Sequence, residues 1–232
     1  MSEVVEKKPK QKKTVSITNK TDKKGRHVNG WISFLRIFIA PIVRLFYPFR
    51  YYGNYKIKDG AALYVMNHYR MVDPIYPLLT TKEGIHYIGK KEMFSMPVYG
   101  FFCKKVKSIA VNRDGTDVRG IMDALKCLKN DEKVCICPEG TRNKTDEVFL
   151  PFKPGAAMLA IRAKAPVIPI VIYNKARFLR TTHILVGEPI EFTEYYGQKL
   201  TDEILSEADE RIVSAFWALR NGHDELLASK KK

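Results

Sequence analysis

The sequence is short of acidic side chains. Twenty-five Asp and Glu stand against 40 Lys and Arg, leaving +15 at pH 7 with histidine neutral. That imbalance directs attention to anionic partners: nucleic acid, an anionic membrane surface or phosphorylated substrates. Cysteine is also scarce. Cys103, Cys127, Cys135 and Cys137 make no C-x-x-C pair and no metal-like Cys/His spacing, which argues against a zinc site. They read as reduced, mostly buried thiols in a reducing compartment. No stretch resembles a cleavable signal peptide, and no internal repeat is visible. No helix-turn-helix, zinc or RNP-like pattern accompanies the basic charge, which leaves nucleic-acid binding as the weaker alternative. Apolar residues are not lacking: at 45% of 232 residues they fill the core of one large domain or two small ones.

Charge and hydropathy divide the chain into four parts. Residues 1–30 hold nine Lys/Arg and three Asp/Glu, a net of +6, with few apolar side chains. This stretch reads as a disordered basic tail. Attraction to anionic lipid is one account of it, and a solvated tail without consequence is the other. From Trp31 to Phe49 only Arg36 and Arg44 are charged. A helix of that length nearly spans a bilayer. Pro41 should break it in the middle, Pro48 should end it, and a central arginine is costly in hydrocarbon. The aromatics there suit an interfacial belt. Residues 31–52 are therefore expected to form a membrane-associated helical segment lying in the interface, with packing on the domain's own core as the competing reading. Residues 53–225 form the expected globular domain, and 226–232 a basic C-terminal tail.

Within 53–225, strand-like runs alternate with one-faced helical runs. Strands are expected at Ala61–Met66, Ile85–Ile88, Ser108–Asn112, Lys133–Cys137, Val167–Tyr173 and His183–Val186, with Pro169 marking an edge or a bulge. Helices are expected from Pro74, from Val118 (Thr116 as cap, Asn130 as stop), over Ala156–Lys164, and over Thr201–Leu219, closed by Asn221-Gly222. The fold class is α/β: a mostly parallel or mixed central sheet flanked by helices, preceded by the membrane-associated segment. Met93–Phe102 fits an acyl groove and a core loop equally well.

Three of these strands end in polar signatures. The first delivers Asn67 and His68, with Asp73 before Pro74. An imidazole beside a carboxylate is a general-base arrangement. Taken alone, a helix cap and a loop histidine explain the pair as well. The second ends in Asn112-Arg113. The third ends in Glu139-Gly140-Thr141-Arg142, with Lys153 near the next helix start. Strand ends of one sheet converge on one crevice, and arginines beside free amides suit a phosphate.

Together these stretches resemble the glycerolipid acyltransferases. N-H-Y-R-M-V-D-P is similar to their first motif, S-I-A-V-N-R to the second, C-P-E-G-T-R to the third and V-I-P-I-V to the fourth, with F-K-P-G-A between the last two. The motifs run in family order from Tyr64 to Tyr173 and most resemble the 1-acylglycerol-3-phosphate (lysophosphatidic acid) acyltransferases. Arg70, Asn112 and Cys137 depart from the residues common there. The resemblance implies acyl transfer from acyl-CoA or acyl-carrier protein to lysophosphatidic acid, giving phosphatidic acid for phospholipid synthesis. Glycerol 3-phosphate or another lysophospholipid is the alternative acceptor. His68 would be the base and Asp73 its partner. Arg113, Glu139, Gly140, Thr141, Arg142 and Lys153 would hold the phosphate, supported by Asn67 and Asn112. No Ser or Cys accompanies His68 as a nucleophile, so no acyl-enzyme is implied, and neither metal nor cofactor is expected. The implied partners are anionic membrane lipids, lysophosphatidic acid and the acyl donor, not nucleic acid. The implied location is the cytoplasmic face of the cell membrane.

Overall fold

The run Ala62–Met66 is buried along its whole length, because alternate side chains enter two different cores. Leu63 and Val65 join one cluster, and Ala62, Tyr64 and Met66 join another. A strand apolar on both faces must be covered on both faces, and the rest of the chain supplies the two covers. The computed structural model describes residues 17–23, 25–112 and 118–230. In chain order these form β1 (Lys20–Thr21), β2 (His27–Val28), α1 (Gly30–Phe34), a π-helical turn (Leu35–Ile39), α2 (Ala40–Phe46), β3 (Phe49–Gly53), β4 (Ala62–Met66), α3 (Ile75–Leu78) and β5 (Ile85–Lys90). A 3-10 turn (Lys91–Ser95), α4 (Pro97–Lys105), β6 (Ile109–Val111), α5 (Val118–Lys129), β7 (Lys133–Ile136) and α6 (Ala156–Ala163) come next. They are followed by β8 (Val167–Ile172), β9 (Thr182–Val186), a second 3-10 turn (Thr193–Tyr195) and α7 (Asp202–Ser229).

Seven strands make one sheet in the order β3-β9-β8-β4-β7-β5-β6. All neighbours run parallel except β8 and β9, so the sheet is mixed. Helices α5, α6 and α7 cover one face around Leu63, Val65, Val134 and Val171. The other face packs Tyr64, Tyr76, Ile168 and Ile170 under the loop before α3, and Ile32 of α1 joins Leu78 and Val106 nearby.

Several expectations need correction. Residues 17–30 are not an unstructured tail. Lys20–Thr21 pairs with His27–Val28, and Asn19 is buried. Its amide N–H donates to Glu132 (2.8 Å), and its side chain meets His86 (3.0 Å) and Asn29 (3.2 Å). Pro41 does not break the segment that starts at Gly30. Ala40 N–H bonds five residues back to Leu35, so the ladder widens to π spacing and Pro41 falls in the first turn of α2, where no N–H is needed. The segment also stops short of residue 52: Phe49–Gly53 is a strand parallel to β9. Pro169 lies in an interior strand, not at an edge. The pairing with β9 runs Ile170↔Val186, but beyond the proline it resumes as Val167↔Ile190, one residue out of step. That step is a bulge, and the proline ring fills the space over Gly187, where a Cβ would lie 2.7 Å from Pro169 Cγ.

Asn221-Gly222 does not close the last helix, which runs to Ser229 and takes up most of the expected C-terminal tail. The cost of a mid-helix glycine is offset by His223. Its ring is buried against Tyr52 and Tyr173 and hydrogen-bonded to His183 (2.7 Å). Thr116, expected to cap α5, lies outside the described residues.

Of the two arginines in the apolar segment, Arg36 turns inward and Arg44 stays exposed. Arg36 donates to the carbonyls of Leu78 (3.1 Å), Lys82 (3.1 Å) and Glu83 (2.9 Å), and Arg44 lies over the Phe49 ring. The guanidinium thus fastens α1 and α2 to the domain. Arg36→Met should cost about 2–3 kcal/mol in denaturant unfolding, because charge-assisted bonds are lost and the carbonyls are left with fewer donors. It should also expose the α2–β3 junction to proteolysis. Unchanged stability and protease resistance would show that the apolar packing alone holds the segment.

Candidate active site

The parallel strands deliver their carboxyl ends to one place. Beyond β4, Asn67 is fully buried. Its side chain donates to Ile172 O (3.0 Å) and accepts from Ile172 N–H (2.7 Å). It thereby extends the β4–β8 pairing by one side-chain rung and fixes where the next residue leaves the sheet. That residue is His68.

Asp73 is also fully buried. A single oxygen, Oδ2, accepts from His68 Nδ1 (2.9 Å), Tyr69 N–H (2.6 Å) and Arg70 N–H (2.7 Å). The five-residue loop is therefore wound around its own carboxylate. The cap expected of Asp73 is made to this loop and not to α3, whose N-terminus has no side-chain cap. In the tautomer that donates from Nδ1 to Asp73, the ring's lone pair lies on Nε2. The main chain of His68 is gripped at both ends: its N–H donates to Glu139 Oε2 (3.3 Å), and its carbonyl accepts from Asn143 N–H (2.6 Å).

Asn143 went unnoticed in the sequence. It is buried, and its side chain ties together its own loop through Thr145 and Glu147. Its place two residues beyond Thr141 offered no periodic signal, and only the fold brings it under His68.

His68 lines a cavity of about 610 Å³ whose walls are mostly apolar. Leu35, Ile39 and Val43 of the N-terminal segment form one wall, and Met93, Tyr99 and Phe102 another. Asn112, Gly140, Thr141 and Lys153 also line it. Gly140 has φ of +66°, and a Cβ there would come within 3.0 Å of Lys153 Cε. The missing side chain thus lets Lys153 lie across the loop. Arg142 is exposed beside Thr141; among the described residues it makes no hydrogen bond or ion pair, and it does not line the cavity. Arg113 lies outside the described residues.

Glu139 is placed differently from expectation. Among the described residues it neither lines the cavity nor meets an arginine. Its carboxylate is buried and accepts two backbone amides, from His68 and from Leu150 (3.3 Å). Burial pushes its carboxyl up to about 7, with the nearby Asp73 charge adding to the rise and the two amides opposing it.

Away from the cavity, His86, Cys127 and Glu132 form a buried cluster whose ligand-type atoms lie within 4.8 Å of one another. Both ring nitrogens of His86 are engaged, Nδ1 by Lys107 O (2.8 Å) and Nε2 by Glu132 (2.8 Å). Burial pushes the Cys127 thiol up to about 12. The cluster reads as the anchor under Asn19.

A buried carboxylate behind a histidine at the carboxyl ends of parallel strands defines an α/β protein with a general-base site. The family model described as Acyltransferase matches residues 48–173, more than half of the chain, and the chain belongs to that family. Several relatives bear the name 1-acyl-sn-glycerol-3-phosphate acyltransferase. The protein from Helicobacter pylori is 35% identical over 126 residues, 53% of this chain and 52% of its own length. That from Bacillus subtilis is 30% identical over 151 residues, 61% of this chain and 72% of its own. The chain spans about half the length of the Helicobacter protein and of a chloroplastic relative from Brassica napus (48%). The crystal structure of a 1-acyl-sn-glycerophosphate acyltransferase from Thermotoga maritima has the same fold, with a TM-score of 0.58 at 21% identity, covering 86% of this chain and 88% of that one.

The pH behaviour of Glu139 is testable. Its folded pKa lies above the usual carboxylate value, so its contribution to stability is complete below about 4.5 and is lost as pH rises through about 7. Glu139→Gln has no such titration. The wild type should therefore lose stability relative to the Gln variant between pH 4 and pH 8, by on the order of 1–3 kcal/mol. Denaturant unfolding of both proteins at the two pH values measures this. Parallel profiles would mean that Glu139 ionises like an exposed carboxylate.

Proposed function

We propose that this chain transfers a fatty acyl group from a thioester to the sn-2 hydroxyl of a lysophosphatidic acid, giving phosphatidic acid. The observation that carries the reading is His68, bonded through Nδ1 to buried Asp73 and set in the wall of an apolar cavity, in a chain of the acyltransferase family. In this reading Nε2 takes the proton of the acceptor hydroxyl. The oxygen attacks the thioester carbonyl, the carbon–sulfur bond breaks, and the imidazolium returns the proton to the departing thiol. Asp73 holds the ring and offsets its charge. No covalent acyl-enzyme, metal or cofactor enters this sequence. The acyl donor, acyl-CoA or acyl-carrier protein, is the co-substrate, and its chain lies along the apolar walls. Thr141 and Lys153 at the cavity, with Arg142 beside them, receive the acceptor's phosphate. Glu139 serves from behind, holding the His68 backbone.

The assay is purified protein with lysophosphatidic acid or monoacylglycerol as acceptor and each donor in turn. His68→Ala should lower turnover roughly 10²–10⁴-fold without unfolding the protein. Lys153→Ala should erode the preference for the phosphorylated acceptor. A folded His68→Ala protein with wild-type turnover would end the mechanism.

The reading also places the enzyme on a membrane, at its cytoplasmic face. Among the described residues no helix is long and apolar enough to cross one. With Arg36 turned inward, α1–α2 expose Phe34, Ile37, Phe38, Ile42 and Leu45, with Arg44 as the exposed cation of the segment. Such a face suits the interface. Ile37→Asp/Leu45→Asp should weaken binding to anionic vesicles at least tenfold in sedimentation while the fold survives. Undiminished binding would put the contact elsewhere.

A further inference from the structure

The connection between β8 and β9 ends in a tight turn whose composition is unusual. Its two central residues are Phe178 and Leu179, 60% and 62% exposed. The flanking Arg177 and Arg180 pair as an isolated antiparallel bridge, and Arg180 N–H donates to Arg177 O (3.1 Å). Leu179 has φ of +55°. A tight turn at that position favours glycine or asparagine, because a Cβ is strained there. A leucine held in the left-handed region with its side chain in solvent is costly, and strain of this sort clusters at functional sites.

The turn is fastened to the N-terminal segment. Leu179 N–H donates to Phe46 O (2.7 Å). The Phe178 ring stacks on Phe46 (centroids 5.9 Å, 15°) and stands edge-on to Tyr47 (6.3 Å, 81°). Phe46 ends α2, so the tip continues the apolar outer face of α1–α2. Arg177 and Arg180 are exposed and make no ion pair among the described residues. Two apolar side chains between two unpaired arginines match a bilayer surface, where acyl chains receive the apolar pair and anionic headgroups receive the guanidinium groups.

We infer that the Arg177–Arg180 turn is a second contact with the lipid bilayer, with Phe178 and Leu179 entering beside α2. The inference rests on the proposal that α1–α2 lie in the interface. A second contact, far from the first in sequence, removes the freedom of a single helix to roll. Val43, one turn before Phe46, lines the cavity, so the orientation of α2 is also the orientation of the cavity beneath it. The turn thereby fixes how that cavity faces the membrane from which a lipid acceptor would enter.

The test uses the full chain and anionic vesicles of phosphatidylglycerol and phosphatidylcholine with brominated acyl chains. In one protein, Trp217→Phe leaves Trp31 as the single tryptophan. In another, Trp31→Phe/Trp217→Phe/Phe178→Trp places it at the turn. Both should be quenched. Quenching of Trp31 but not of position 178 would overturn the inference and leave the membrane reading standing. Quenching of neither would overturn both. Leu179→Gly gives an independent check, because glycine relieves the backbone while removing the apolar group. It should raise the melting temperature and weaken vesicle binding roughly tenfold. Arg177→Glu/Arg180→Glu should abolish the preference for anionic over zwitterionic vesicles at that turn. Unchanged vesicle binding by both variants would overturn the inference.

Discussion

One buried carboxylate oxygen organises the reactive end of this protein. Asp73 Oδ2 collects three hydrogens, two from backbone amides and one from His68. The loop between β4 and α3 cannot unwind without taking donors away from a charge that has no solvent to replace them. The arrangement has a cost: Asp73 Oδ1 is buried and finds no hydrogen-bond donor among the described residues. Concentrating the donors on one oxygen fixes the ring at the expense of the other oxygen, a local strain of the kind that clusters at functional sites.

A second buried carboxylate stands behind the first. Glu139 grips the His68 amide from β7's end of the sheet, and Asn143 grips the carbonyl. The Asp73 charge is one reason the Glu139 carboxyl sits near 7. Two acids on either side of a single peptide are electrostatically unfavourable, so their arrangement depends on the amides aimed at them. Neither acid is free to meet a ligand. Glu139 is near the cavity in sequence but works through the backbone.

The N-terminal segment follows a similar logic of directed polarity. Its length and composition admit a spanning helix, a broken pair or an interfacial helix. Arg36 ties the segment to the domain, because carbonyls of the last residue of α3 and of the turn after it hold its guanidinium. Once Arg36 faces inward, the exposed side of α1–α2 is mostly apolar, with Arg44 as its cation. The aromatic tip at Phe178 extends this apolar face from a distant part of the sequence.

Local patterns in the sequence determined the strands from β4 to β9, the amphipathic α5, the buried Ala156–Ala163 helix and the α/β class, and placed His68 and Asp73 at the end of β4. Each of these depends on neighbours a few residues apart. Tertiary structure decided the rest. Pro169 sits inside the sheet because a distant glycine leaves room for its ring. Gly222 fails to stop α7 because His223 is wedged between two tyrosines. Residues 17–30 are docked because Asn19 finds Glu132, 113 positions away. Glu139 turns to the backbone because the fold brings the amides of His68 and Leu150 to its buried carboxylate. In every such case a weak local preference was overruled by a contact between residues remote in sequence, and periodicity carries no information about contacts of that kind.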